Sequence, residues 1–172
     1  MIGMRRLAGA LGMAAVCAGT LDAQVGYEPR FIALASEING KMPEFIVEKV
    51  QGALNNARKA VNGSKIHVLG VAYKRDISDV RESPALDIIA LLQRLGGEVT
   101  YSDPFVSKID FDSGSGSLEA CSLFPAVEQA DCVVIVTDHR GIDYASIVEK
   151  AALIVDSRNA LKKFSSDKIV RL

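Results

Sequence analysis

The sequence predicts an α/β fold, a Rossmann-like three-layer sandwich with a mainly parallel sheet preceded by a helical segment, on three observations. Residues 65–102 read as strand, charged loop, capped helix and second strand, a βαβ unit of about the usual thirty-odd residues that should cross over right-handed. Two later segments, DCVVIVT (131–137) and ALIVD (152–156), are continuously apolar, as strands covered on both faces are. Helical patterns separate these strands, so the alternation of β and α runs on towards the C-terminus.

Taken in order, the chain divides into residues 1–24, 25–62 and 63–172. Met1 to Arg6 is basic and Leu7 to Leu21 is rich in Ala, Gly and Leu, which together resemble the n-region and h-region of a secretory signal. The run is short for a membrane span, and cleavage after Ala23 would set Leu21 where a small residue is preferred. Residues 1–24 are therefore read either as signal-like or as a non-native start. From Glu28 to Asn62 the pattern is helical. Phe31, Ile32, Leu34, Ala35 and Ile38 space as one amphipathic face, Phe45, Ile46, Val47, Val50 and Leu54 as another, and Gly40 and Pro43 interrupt the two.

Lys65 to Val71 (KIHVLGV) is the first strand. Ser83 followed by Pro84 marks an N-cap with proline in the first turn. Leu86, Ile88, Ile89, Leu91, Leu92 and Leu95 give the helix a broad buried face, and Gly96 and Gly97 stop it. Glu98 to Ser102 (EVTYS) is the second strand. Ser107 to Ser117 reads as a flexible surface loop, Leu118 to Ala130 and Ile142 to Lys150 as helices, and Lys162 to Leu172 as a short helical turn with an edge strand, KIVRL.

Composition bounds the function. A chain of 172 residues can bury a real core, and its 49% hydrophobic and 24% charged residues are globular values. A net charge of −1 argues against nucleic acid as a partner, so any anion site must be local. Three cysteines without regular spacing and two histidines support neither a disulfide framework nor a metal site. His67, inside a strand, reads as a structural residue, and Cys132 as inert packing.

The chemistry gathers after the strands. Polarity changes abruptly at Ala72, Tyr73, Lys74, Arg75 and Asp76, at the strand's C-terminal end, which is where open α/β sheets bind ligands. A dinucleotide fits poorly, because Gly70 is followed by bulky residues where pyrophosphate would need close backbone approach. Asp103 stands where a ribose partner would, without the glycines that justify that role. Lys74 can instead place an ammonium against a diphosphate, and Arg158, just after ALIVD, can add a guanidinium fork from the same sheet edge. The residues alone leave a second reading open, in which Lys74, Arg75 and Arg81 are solvated charges paired with Asp76, Asp79 and Glu82. Asp79 is expected to tie the loop to the helix start through backbone N–H groups. Asp103 with Pro104 reads as turn chemistry.

The stretch GVAYKRDISDVRESPALDIIALLQRLGGEVTYSDPFV, with GYEPRFIALASEINGKMPEFIVEKV before it and IVDSRNAL after it, resembles the UDP-binding, C-terminal domain of the UDP-glucose/GDP-mannose dehydrogenase family. Within that family it is most similar to UDP-N-acetyl-hexosamine 6-dehydrogenases of polysaccharide synthesis. The resemblance implies a UDP-sugar partner, with Tyr73 and Lys74 matching an aromatic–Lys pair at the sugar nucleotide and Arg158 matching a further substrate contact. Arg81 matches an arginine that reaches towards NAD.

Residues 25–62 would be a remnant of the central helical region, a common dimer interface in the family. That makes a homodimer, or pairing with a full-length or N-terminal-half homologue, an expected partnership. The family's NAD-binding G-x-G-x-x-G turn and its cysteine nucleophile have no match in this sequence, and Cys17 sits in an unrelated context. No catalytic residue is therefore assigned, and NAD, the cofactor of the intact family, is not expected to bind this chain alone. Cytoplasmic ligands imply a cytoplasmic, non-membrane location.

Overall fold

The computed structural model describes residues 30–111 and 116–172. The signal-like segment, Cys17, and Ser113, Gly114 and Ser115 of the expected loop lie outside these residues. The chain divides into two units, residues 1–37 and residues 38–172. Of the first, the described part is the opening of helix α1, where Phe31, Ile32 and Leu34 are exposed. No described helix is long and apolar enough to cross a membrane.

Helix α1 spans Arg30–Asn56 without a break, whereas the sequence predicts two helices interrupted at Gly40 and Pro43. Proline forfeits one helical hydrogen bond, a cost of about 3 kcal/mol in a helix interior. Pro43 is nonetheless buried with Ile46, Val47, Val50, Ala53 and Leu54 on one stripe, and that burial offsets the loss. Phe45, expected on the same face, is partly exposed beneath the Lys49 ammonium.

Strands β1 (Lys65–Leu69), β2 (Glu98–Ser102), β5 (Cys132–Ile135), β6 (Ile154–Asp156) and β7 (Ile169–Arg171) form one sheet in the order β2-β1-β5-β6-β7, every pair parallel. Helix α2 (Pro84–Arg94) begins as predicted, with Ser83 Oγ accepting from Ala85 N–H, and Gly96 and Gly97 follow it. Its buried residues are Ala85, Ile88, Ile89 and Leu92, while Leu95 is exposed at the C-cap.

The predicted 118–130 helix is shorter. Ser117–Glu119 is strand β4, paired antiparallel with β3 (Lys108–Asp110), and helix α3 occupies only Leu123–Gln129. The hairpin pairing claims Leu118 before a helix can. Helix α4 (Tyr144–Lys150) is capped by Asp143, which accepts from Ser146 N–H at 3.1 Å.

Alternation along the strands builds the two outer layers. Ile66, Val68, Cys132, Val134 and Val155 meet the buried residues of α1 and α2, whereas Leu69, Val133, Ile135 and Ile154 meet Val127 of α3 and Ile147 of α4. Cys132 is wholly buried, and burial pushes its thiol up to about 12, so it stays inert.

His67 is also wholly buried, with Nδ1 3.0 Å from Thr100 Oγ1 and Nε2 2.9 Å from Ser102 Oγ. Burial lowers its pKa from 6.5 to about 4. The unfolded chain therefore takes up this proton before the folded one does. Stability from the neutral ring is complete above about pH 6.5 and falls as pH drops towards 4, by about 3 kcal/mol in total. Denaturant unfolding of His67→Gln should depend less on pH across that window than the wild type does. Superimposable pH profiles would exclude His67 as the titrating group.

Candidate functional site

Because the five-stranded sheet is wholly parallel, the C-terminal ends of its strands share one edge. Tyr73 and Lys74 follow β1, Asp103 follows β2, Thr137 to Arg140 follow β5, and Arg158 follows β6. The sequence-predicted site residues thus come from loops at a common edge. The ends of β1 and β6 are two strand spacings apart, about 10 Å.

The cations there are not equivalent. Arg75 pairs with Asp138 and donates Nε–H to the Asp138 carbonyl at 2.8 Å. Arg140 lies against Asp76, Nε to Oδ2 at 3.4 Å. Arg81 grips Asp79 with Nε–H to Oδ1 at 3.0 Å and Nη2–H to Oδ2 at 2.8 Å. That fork holds the Asp79 carboxyl down at about 2. Asp79 also accepts the Arg81 backbone N–H, so it organises its own loop, and the helix start expected as its partner is served by Ser83 instead. Of the pairs expected when the loop is read as mutually paired charges, only Arg81–Asp79 forms; Arg75 takes Asp138 from the loop after β5, and Asp76 takes Arg140 from that same loop.

Lys74 and Arg158 differ from them. Among the described residues neither forms an ion pair. Lys74 Nζ stands 5.1 Å from the ring centroid of half-exposed Tyr73, a contact worth about 0.5–1 kcal/mol when exposed. Arg158 lines an open hollow of about 350 Å³ with Asp156, Ser157, Asn159 and Arg171. Beneath it, buried Asp156 accepts the backbone N–H groups of Arg158, Ala160 and Leu161 and fixes the loop. A second hollow, about 300 Å³, opens at the other end of β1 and β2, where the single cation on its wall, Lys65, is set beside Glu98. Its charges balance, so it is the poorer anion site.

Asp103 does more than the turn chemistry expected of it. Oδ1 accepts Phe105 N–H at 2.8 Å, as an Asx turn requires. Oδ2 accepts Val71 N–H at 2.8 Å, Ala72 N–H at 3.1 Å and the His139 Nε2 proton at 3.0 Å. His139 Nδ1 accepts Asp76 N–H at 3.0 Å, which leaves the ring proton on Nε2. Both side chains are wholly buried. No oxygen of Asp103 is left for a ribose. The only signal for this pair in the sequence is the position of each residue just past a strand.

Gly70 has φ +79°, and a Cβ there would lie 2.1 Å from the Thr137 carbonyl oxygen. The space this glycine opens is filled by the protein's own backbone, so the loop has no cradle for a pyrophosphate. The described residues therefore do not fit a dinucleotide at the first βα turn.

The family model for the UDP-glucose/GDP-mannose dehydrogenase family, UDP binding domain, matches residues 67–163. UDP-N-acetyl-D-mannosamine dehydrogenase of Methanococcus vannielii is 31% identical over 140 residues, 77% of this chain and 31% of that protein. UDP-glucose 6-dehydrogenase TuaD of Bacillus subtilis is 33% identical over 140 residues, 78% of this chain and 30% of that protein. The solved UDP-D-ManNAc dehydrogenase of Pyrococcus horikoshii superposes with a TM-score of 0.70 at 30% identity, covering 87% of this chain and 35% of that one. The chain spans about a third of the length of the curated relatives it matches.

The Gly70 contact is open to a direct check. Gly70→Ala should lose at least ~3 kcal/mol, from left-handed strain plus overlap with a carbonyl that cannot rotate away. Gly63 has φ +80° in open space, so Gly63→Ala should lose only about 1 kcal/mol of strain. Equal shifts in the urea midpoints of the two variants would show that the Thr137 contact contributes nothing.

Proposed function

Because the chain belongs to the UDP-glucose/GDP-mannose dehydrogenase family, we propose that it is the UDP-sugar-binding portion of a nucleotide-sugar 6-dehydrogenase, the NAD-dependent kind that oxidises a sugar C6 alcohol to a carboxylate. The observation that carries this reading is the placement of Lys74 and Arg158, two cations without ion-pair partners among the described residues, past β1 and β6 on one sheet edge. Two long cationic side chains rooted on strand ends about 10 Å apart are within reach of one diphosphate. Arg75, Arg81 and Arg140 already share their charge with a carboxylate, so they contribute less to capturing an anion.

On this reading Lys74 supplies a compact ammonium, Arg158 a planar fork, and Tyr73 an aromatic surface beside the sugar nucleotide. Arg81, matched by resemblance to an NAD contact, is folded onto Asp79 and has no described dinucleotide cradle near it. We therefore assign no oxidation step to the described residues, and this polypeptide alone is proposed to bind without turnover. A second reading, a module that pairs with itself or with a longer homologue through its helical segment, is favoured by the exposure of Phe31, Ile32, Leu34 and Ile38.

Calorimetric titration of the full chain with UDP, and separately with UDP-N-acetylglucosamine, tests the main reading. Saturable binding is expected. Lys74→Ala should weaken it about thirtyfold, the loss of one charge-assisted contact of roughly 2 kcal/mol. Arg81→Ala should leave it unchanged. Absence of heat and of competition from a folded wild-type chain would remove the diphosphate site from consideration. NADH formation from UDP-N-acetylglucosamine and NAD by the pure chain would overturn the proposal that it binds without turnover.

A further inference from the structure

We infer that Asp103 and His139 form a positioning pair for the cationic loop, a buried carboxylate–imidazole clamp that presets Tyr73 and Lys74 for the diphosphate. This rests on the reading of that edge as a UDP site. Strand β1 lies between β2 and β5 in the sheet, so the loop after β1 is flanked by the loop carrying Asp103 and the loop carrying His139. Asp103 Oδ2 takes Ala72 N–H, and His139 Nδ1 takes Asp76 N–H. Tyr73 and Lys74 are the residues strung between those two anchors.

The clamp is closed on all sides. The Asp103 Oδ2–His139 Nε2 bond of 3.0 Å joins the anchors to each other, both side chains are wholly buried, and the Phe105 ring stands 5.2 Å from the imidazole. Asp76, held in the left-handed region at φ +61°, returns a carboxylate oxygen to Arg140 N–H at 2.8 Å, beside His139 in sequence. Such a conformation persists only where its surroundings hold it. Lys74 has a long flexible stem and no ion-pair partner among the described residues, so fixing its backbone in advance lowers the ordering cost of binding. His139 touches no ligand in this scheme and acts through Lys74.

Two variants separate the ends of the clamp. His139→Gln keeps a donor towards Asp103 and loses the acceptor for Asp76, while His139→Asn does the reverse. Each should weaken UDP binding about tenfold, and neither should weaken it further once Lys74→Ala is present, because coupled residues are non-additive. Additive losses, or undiminished affinity in a folded variant, overturn the inference while wild-type binding upholds the site. Failure of the wild type to bind UDP overturns the site reading and this inference together. Should neither variant fold, hydrogen exchange of the wild type decides. Slow exchange at Ala72 and Asp76 amides without UDP supports a preset loop, and fast exchange that slows only when UDP is added overturns it.

Discussion

A carboxylate removed from water must recover its hydration from the protein, and Asp103 does so with four donors drawn from three loops. Parallel strands leave their C-terminal ends without a hairpin to join them, so loops at that edge would otherwise diverge. The Asp103 oxygens gather the ends of β1, β2 and β5 onto one point. Asp156 does the same for the loop after β6, accepting three backbone N–H groups. The edge on which Lys74 and Arg158 stand is thus built from below by buried acids.

Gly70 shows how this edge departs from a dinucleotide-binding turn. In such a turn glycine admits a ligand's phosphate to the backbone. Here the same freedom admits Thr137, whose side chain also donates to the Ala72 carbonyl at 2.7 Å. Strands β1 and β5 are drawn together where a ligand would otherwise enter. At this edge the chain therefore presents loop side chains, Lys74 and Arg158 among them, rather than open glycine backbone.

Much of this could be read in the sequence where local chemistry decides structure. Ser83–Pro84 and Gly96–Gly97 bracket α2, and the apolar runs of β5 and β6 lie within their predicted segments. Prediction failed where distant partners decide. Leu118 is drawn into the β3–β4 hairpin, and Pro43 is carried through α1 by burial. The site follows the same division. The placement of Tyr73, Lys74 and Arg158 on one edge is legible because they sit just past strands, whereas the Asp103–His139 bond joins residues 36 apart in sequence and needs the strand order to bring them together.

The charge pattern combines one local pair, Arg81–Asp79, with two that the strand order brings together, Arg75–Asp138 and Arg140–Asp76. A net charge of −1 gives the chain no general attraction for anions, and the β1 loop carries acids beside its bases. Asp79 and Asp138 each neutralise an arginine, and Asp76 lies against another. The Arg81–Asp79 pair is the clearest case, because a carboxyl held at about 2 stays ionised at every pH at which the fold is useful. A phosphate at Arg81 would compete for a guanidinium whose charge is already shared with a carboxylate through two hydrogen bonds. Lys74 presents no such competition, since its neighbour is the Tyr73 ring, a weak and easily shared partner. Among the described residues of this edge, Arg75, Arg81 and Arg140 are therefore already partnered by carboxylates, whereas Lys74 and Arg158 keep their charge unpaired.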